Sequence, residues 1–286
     1  MQVGLPVHPI AFQLGPFTVT WYGVMVATAF LAGLWTASRR SLRDGISGDK
    51  ILDLGPWLII GAILGARALY VISYWHEQFA NHPISEIFMV WKGGLVYYGG
   101  LIGATLAGIL YAQLKKIPTW KLGDAIAPSV ALGYVFGRIG CLMNGCCYGR
   151  ACHLPWAITF PSVSNGAPPG VPLHPTQIYD SLLNLLFYAF LAWLYRRKKF
   201  DGQVFAAYLI GYALLRSFVE IFRGDYPQHY LGGWATPAQV VSIGIVLVGV
   251  TLWIILSRQG PAKAVEVKDN AKLQHPKLKT KVEDRG

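Results

Sequence analysis

Arg138 lies in Val130 to Met143, VALGYVFGRIGCLM, where every other residue is apolar, aromatic or glycine. A guanidinium at membrane depth costs about 2.5 kcal/mol or more even on the lenient insertion scale, so it demands a partner, and a lipid phosphate is the obvious one. A later apolar stretch carries Arg216, Glu220 and Arg223, spaced by four and three and so expected on one helical face. Arg216 and Glu220 can simply neutralise each other, although intramembrane ionisable groups often combine that with a catalytic role. Arg223 is then left either to snorkel to water or to supply a second cation for a phosphate.

All four cysteines, Cys141, Cys146, Cys147 and Cys152, fall within twelve residues just after Arg138. In an oxidising compartment the leading expectation is one or two disulfides stapling a loop, with pairing that spacing cannot give. Zinc through Cys146 and Cys152 with His153 or His174 ranks below it, because C-C-x4-C lacks paired CxxC elements. A redox-active thiol cluster is the third reading. No metal or cofactor is expected.

The elements that must position these groups follow from composition. Of 286 residues, 53% are hydrophobic and 14% charged. With a mean hydropathy of +0.40, that is more apolar character than a soluble domain of this length hides in one core. Nearly charge-free stretches mark seven expected spans: 17–36, 54–75, 93–114, 125–143, 175–195, 202–222 and 237–256. Each is near the ~20 residues a helix needs to cross the hydrocarbon layer. The expectation is an all-α integral membrane protein with 1–258 as its membrane domain and 259–286 as a flexible basic tail.

Basic residues set the orientation. Nineteen of the 25, namely Arg39, Arg40, Arg43, Lys50, Lys115, Lys116, Lys121, Arg196 to Lys199 and eight from Arg258 to Arg285, fall in alternate loops or the tail. The positive-inside rule then puts the N-terminus outside and the C-terminus in the cytoplasm. The net charge of +11 describes topology and anchorage to anionic headgroups, so nucleic acid is not an expected partner. The first 16 residues do not read as a removable signal peptide. No internal repeat of the transporter kind is visible.

On that topology the unusual residues gather in the outer half: Tyr22, the segment WKGGLVYYGGLIG from Trp91 to Gly103, Arg138 to Gly149, HPTQIYD from His174 to Asp180, and Arg216 to Asp225. The chain thus reads as a site open to the extracytoplasmic face and fed from within the membrane. The glycine-dense segment suits either a re-entrant loop, whose freed amides could bind phosphate oxygens, or close helix packing. His174 sits before a proline, where a helix-start role outweighs a catalytic one.

Taken together, YGGLIG at Tyr98 to Gly103, GRIGCLMNGCCYGR at Gly137 to Arg150, HPTQIYD and RSFVEIFR resemble, in order, the motifs of the prolipoprotein diacylglyceryl transferases, from about Thr20 to Leu256. The resemblance implies a seven-helix bacterial inner-membrane enzyme with a small extracytoplasmic head. Its reaction transfers the diacylglyceryl group of phosphatidylglycerol to the lipobox cysteine thiol of prolipoprotein signal peptides, releasing glycerol phosphate. By motif, Arg138 is the phosphatidylglycerol-binding arginine, Arg216 and Glu220 match the essential pair of the sixth span, and Tyr22 matches the tyrosine of the first. Asn144 and Gly149 lie in the signature segment.

Three positions depart from the best-known members. Tyr98 stands where many carry histidine, Cys141 where many carry asparagine, and Cys146 replaces the usual acidic residue. A histidine base therefore cannot be carried over.

The substrate thiol, with a pKa near ~8.5, needs a base or a cationic field, and the departing phosphate needs cations. The expected assignment is Arg138, Tyr22, Gly99, Gly100, Asn144, Gly149 and His174 on substrate, Arg216 and Arg223 on the leaving phosphate, Glu220 as base and Tyr98 positioning. A monomer suffices for this. A catalytically altered homologue, a membrane thiol oxidoreductase and a transporter remain as alternatives.

Overall fold

In the computed structural model, residues 3–4, 9–15, 17–80, 83–161, 166–225 and 235–260 are described. The expected basic tail lies almost wholly outside them. Seven helices of 18 residues or more occur among the described residues: α1 (Trp21–Ser41), α2 (Gly48–Ser73), α3 (Tyr97–Leu114), α4 (Thr119–Asn144), α5 (Thr176–Arg196), α6 (Gln203–Glu220) and α7 (Pro237–Ser257). Each tracks an apolar run, with bounds a few residues from those expected. The largest shifts are at the starts of α2 and α4, each about six residues earlier than expected, while at the first 17–20 are strand rather than helix: β2 (Ile10–Leu14) and β3 (Phe17–Thr20) form an antiparallel hairpin ahead of α1. Two residues of β1 (Val3–Gly4) pair in parallel with β4 (Ile158–Thr159) in the loop between α4 and α5.

The helices are apolar on the outside as well as inside. Ile243, Leu247 and Val248 on α7, Leu31 on α1 and Ile60 and Leu64 on α2 are all more than half exposed. Water does not tolerate such continuous apolar faces, whereas lipid does. Five helices, namely α1, α2, α4, α5 and α7, are long and apolar enough to cross a membrane. The chain is a mostly helical membrane protein; α3 and α6, 18 residues each, are the two expected spans that fall short of that measure.

Local chemistry sets the helix ends. Thr20 caps α1 by accepting from Gly23 N at 3.2 Å. Thr236 and Gln239 form a capping box at α7 with Pro237 in its first turn, so the chain enters that helix with its orphan amides satisfied. The start of α6 is capped from another helix, where the fully buried Asp124 of α4 accepts from Gly202 N, Val204 N and Phe205 N at 2.8, 2.9 and 3.0 Å. Lys198 closes that group with Asp44 at 2.8 Å, Asp124 at 3.0 Å and Asp201 at 3.3 Å. One cation is thereby shared among three carboxylates at the end of the bundle opposite Arg138, where the amides at the start of α6 also bind Asp124.

Helix α4 is the hub, packing on α1, α5 and α6, while α2 packs on α3 and α6 on α7. Small residues permit the α2–α3 contact. A Cβ on Gly103 would run into the Gly61 carbonyl, and one on Gly99 into the Gly65 carbonyl. This is a small-residue interlock of the kind that lets membrane helices touch backbone to backbone. The glycine-dense segment is therefore helix from Tyr97 onward, and its irregular part is 93–96, with positive φ at Gly93 and Gly94, 86° and 72°.

Candidate active site

Arg138 lies on the buried face of α4, 9% exposed, one turn after Tyr134. Its Nε pairs with Asp180 Oδ2 on α5 at 2.9 Å, and Nη2 donates to the Tyr134 hydroxyl, whose ring lies beneath the guanidinium. The resting partner of the arginine is thus a protein carboxylate. Its position four residues after Tyr134 was a readable signal for the second contact; the pairing with Asp180, across two helices, was not.

Arg216 and Glu220 form the ion pair expected from their spacing, Nη1 to Oε2 at 2.5 Å, with Glu220 2% exposed. Arg223 is not on their helical face. Helix α6 stops at Glu220, and Arg223 turns back to form an isolated β-bridge with Gly149 while its guanidinium pairs with Asp225, Nε at 2.9 Å and Nη2 at 2.5 Å. Burial works against the charge of Arg223, but its hydrogen bonds with Asp225 and the nearby Cys147 outweigh that and hold its pKa above the ordinary arginine value. Asp180 lies in the electrostatic field of all three arginines, Arg138, Arg216 and Arg223, so they converge on one place at one end of the bundle.

The loop after α4 is fastened into the same place. Gly149 N donates to His174 O at 3.1 Å, His174 N to Arg150 O at 2.9 Å, Arg150 N to Phe222 O at 2.8 Å and Gly224 N to Tyr148 O at 3.2 Å. A Cβ on Gly149 would strike His174 and the Phe222 carbonyl, so this glycine is required by backbone approach. The His174 ring touches Tyr179 and Phe222, its Nδ1 3.4 Å from the Tyr179 hydroxyl. Burial and the Arg150 charge push its pKa below the usual imidazole range. His174 holds the loop to the start of α5, in keeping with its position beside that helix start.

The cysteines correct the disulfide expectation. All four are free thiols. The sulfurs of Cys141, Cys146 and Cys147 all lie within 4.8 Å of one another, while Cys152 is apart from them. Asn144 ends α4 and directs Nδ2 to Cys146 Sγ at 3.5 Å, while Gln177 and Thr176 of α5 donate to the Cys146 and Cys147 carbonyls at 2.8 Å each. The thiol of Cys147 is drawn below its usual range, first by hydrogen bonds with Cys141 and Cys146 and further by the charges of Arg138 and Arg223. Tyr22, at the start of α1, packs beside Gly140 within electrostatic reach of all three.

Two expected groups are not gathered here. Tyr98 is 60% exposed, and its described ring neighbour is Tyr97. Gly99 and Gly100 face α2 rather than a ligand: a Cβ on Gly99 would strike Gly65, one on Gly100 would sit 3.4 Å from Ala62 O, and the amide of Gly100 donates to Val96 O at 3.2 Å. The phosphate cradle considered for those amides is replaced by helix packing.

Comparison with known proteins fits this geometry. The family model described as prolipoprotein diacylglyceryl transferase matches residues 9–255. The chain belongs to that family. A phosphatidylglycerol–prolipoprotein diacylglyceryl transferase of Geobacillus kaustophilus is 38% identical over 268 residues, covering 91% of this chain and 96% of the relative. Proteins of the same name from Trichormus variabilis, 37% identical over 85% of this chain and 86% of their own, and from Legionella pneumophila, 36% identical over 86% and 96%, are similar in the same way.

Proposed function

We propose that this protein transfers the diacylglyceryl group of phosphatidylglycerol to the cysteine thiol of a prolipoprotein lipobox, forming a thioether and releasing glycerol phosphate. The observation that carries the reading is the convergence of Arg138, Arg216 and Arg223 on one buried place at one end of an apolar bundle, in a chain of this family. All seven helices cross the bilayer, N-terminus outside, in a bacterial inner membrane, and the arginine cluster opens to the extracytoplasmic side. One copy of the chain suffices, since it carries every motif, and the basic tail lies in the cytoplasm.

The lipid headgroup brings a phosphodiester anion. Arg138 is held by side chains, Asp180 and Tyr134, that can release it to that anion. Tyr22, Asn144 and Gly149 line or shape the headgroup site, and Tyr98, at the exposed rim, positions substrate arriving from lipid. Attack of the thiolate on the glyceryl carbon forms a C–S bond as the C–O bond breaks, and the electron pair leaves with the phosphate. Arg216 and Arg223 stabilise the charge that grows there, an interaction strongest in the transition state. Glu220 takes up the thiol proton as its pairing with Arg216 loosens in favour of the phosphate.

The relatives named above support transfer and lend nothing to a transporter, a thiol oxidoreductase or an altered homologue. Purified protein with labelled phosphatidylglycerol and a lipobox peptide should yield a thioether by mass spectrometry, and a cysteine-to-serine peptide should not. Glu220→Gln should retain phosphatidylglycerol binding and lose transfer. An inert wild-type protein in that assay would refute the function; near-normal turnover by Glu220→Gln would refute the base.

A further inference from the structure

Three thiols meet beside the arginine cluster with no disulfide among them, and the chain folds at some cost to bring them there. Cys141 ends one turn of α4 past Arg138, on the same side of the helix. The left-handed Gly145, at φ 73°, then reverses the chain so that Cys146 N reaches Cys141 O at 3.1 Å. Cys147 follows at φ 59°, one of two non-glycine residues with positive φ among the described residues. Such a backbone costs about 1–3 kcal/mol, is held only where surroundings over-determine it, and clusters at functional sites. Here Gln177 and Thr176 hold the two carbonyls, and Asn144 Nδ2 offers a hydrogen bond to a sulfur.

We propose that Cys141, Cys146 and Cys147 bind one Zn²⁺ through three thiolates, and that its fourth position takes the lipobox cysteine thiol as the nucleophile of the transfer. The inference deepens the function proposed above and rests on it for that second part. Zinc–thiolate bonds of about 2.3 Å in a tetrahedron put the sulfurs about 3.8 Å apart, so ligands already within 4.8 Å need to close by no more than a rotamer adjustment. Three protein ligands with one open position is the arrangement of a catalytic rather than a structural zinc site. Three thiolates around Zn²⁺ carry a net charge of −1 and a fourth raises it to −2. Arg138 and Arg223, both within electrostatic reach of Cys147, offset that charge in the low-dielectric setting. Asn144 supplies the outer hydrogen bond that tunes a metal-bound sulfur.

The site also answers a chemical need. Tyr98 is at the exposed rim, His174 is engaged with Tyr179 and Phe222, and Glu220, paired with Arg216, is a weak base that needs a thiol already acidified. A metal-coordinated thiol is deprotonated outright near neutral pH. In the proposed step the substrate thiol, acidified on binding Zn²⁺, gives its proton to Glu220, and its sulfur attacks the glyceryl carbon. The C–O pair departs with the phosphate, the proton ends on the released glycerol phosphate, and the neutral thioether, a weak ligand, leaves the metal unchanged in oxidation state.

The test uses full-length protein in nanodiscs. Elemental analysis should find one zinc per chain. Zinc should be lost on chelation and strongly reduced in Cys141→Ser and Cys147→Ser, but kept in Cys152→Ser. Replacement by Co²⁺ should give thiolate-to-cobalt charge-transfer absorption, which a lipobox peptide increases and its cysteine-to-serine version does not. Because the wild-type protein is stripped and reloaded, a folding defect in a serine variant leaves the result intact. Transfer at pH 7 should fall by about tenfold to thirtyfold on stripping, since Glu220 then faces an uncoordinated thiol near pKa ~8.5, only a few per cent ionised there, and should return with Zn²⁺.

Failure of the stripped and reloaded wild-type protein to bind Zn²⁺ at micromolar concentration overturns the site, as does a disulfide consuming two of the three cysteines in active protein. Full transfer by stripped protein, or cobalt absorption blind to the peptide thiol, overturns the activation while leaving diacylglyceryl transfer standing. A zinc-loaded protein that binds the peptide thiol but transfers nothing sinks the transfer reading and not the metal site.

Discussion

Arg67 of α2 and Arg138 of α4 are both guanidiniums buried in apolar helices, 8% and 9% exposed, yet they hold different kinds of partner. Arg67 gives its donors to backbone: Nε to Ile87 O at 2.7 Å, Nη1 to Gly93 O at 2.9 Å and Gly94 O at 3.2 Å, and Nη2 to Glu86 O at 2.5 Å. Arg138 gives its donors to side chains, the Asp180 carboxylate and the Tyr134 hydroxyl. A backbone carbonyl cannot leave without unravelling its segment, whereas a carboxylate can turn aside for an arriving phosphate. Burial alone therefore does not mark an arginine as a ligand site; the role proposed for Arg138 rests on a partner that can be exchanged.

The largest effect expected from this contrast is on stability at Arg67. Arg67→Gln removes charged donors from four part-buried carbonyls that pin the 83–96 segment, and should cost about 3–5 kcal/mol, since a hydrogen bond to a charged group contributes about 1.5–3 kcal/mol. The thermal midpoint should drop, and proteolysis should begin in that segment before any other. If Arg67→Gln melted like wild type but lost transfer, the division between the two arginines would be wrong.

Arg138→Gln should do the reverse. Loss of one preorganised donor to a developing phosphate charge costs about 10²- to 10³-fold in turnover, so transfer should fall by at least that much, with a smaller loss of stability than at Arg67 because Asp180 still lies in the field of Arg216 and Arg223. Labelled phosphatidylglycerol should also bind more weakly. Equal loss of stability in the two variants would remove the distinction.

What could be read from the sequence divides along the same line. Helix existence was legible, because each span is an apolar run that stops at charges, and so was the Arg216–Glu220 pair, which is local to one helix. Partners that come from other helices were not: nothing in the spacing pointed from Arg138 to Asp180 or from Asp124 to the amides of α6. The helical face expected for Arg223 failed because the chain leaves α6 at Glu220 to pair with Gly149. Glycine density could not separate a loop from a helix interlock, since both exploit the missing Cβ. Cysteine spacing could not tell a disulfide from a thiol cluster, since the outcome turns on the left-handed backbone at Gly145 and Cys147.

Asp180→Asn sharpens the comparison from the carboxylate side. With phosphatidylglycerol absent, the variant leaves Arg138 facing a neutral partner and should unfold earlier than wild type. Lipid that binds the folded protein adds RT ln(1 + [L]/Kd), about 2.7 kcal/mol at a hundredfold excess over Kd, so phosphatidylglycerol nanodiscs should restore most of the loss, whereas phosphatidylcholine should not. A defect that ignores lipid identity would show that Asp180 is as fixed a partner as the carbonyls around Arg67.

The smallest of these effects should come from the helix interlock that carries Arg67. A Cβ at position 103 meets the Gly61 carbonyl, a backbone atom that cannot rotate away, so Gly103→Ala must push α2 and α3 apart. Overpacking of this kind costs about 1–3 kcal/mol. The displacement falls on the helix pair that Arg67 clamps near the end of α2, and α3 has little contact with α4, so the pairing of Arg138 with Asp180 lies on the far side of the disturbance. Gly103→Ala should therefore lower the melting temperature and loosen the 83–96 segment in hydrogen exchange, while the Michaelis constant for phosphatidylglycerol changes less than threefold. A larger change in that constant, with stability intact, would mean that the glycines of α3 touch the lipid after all.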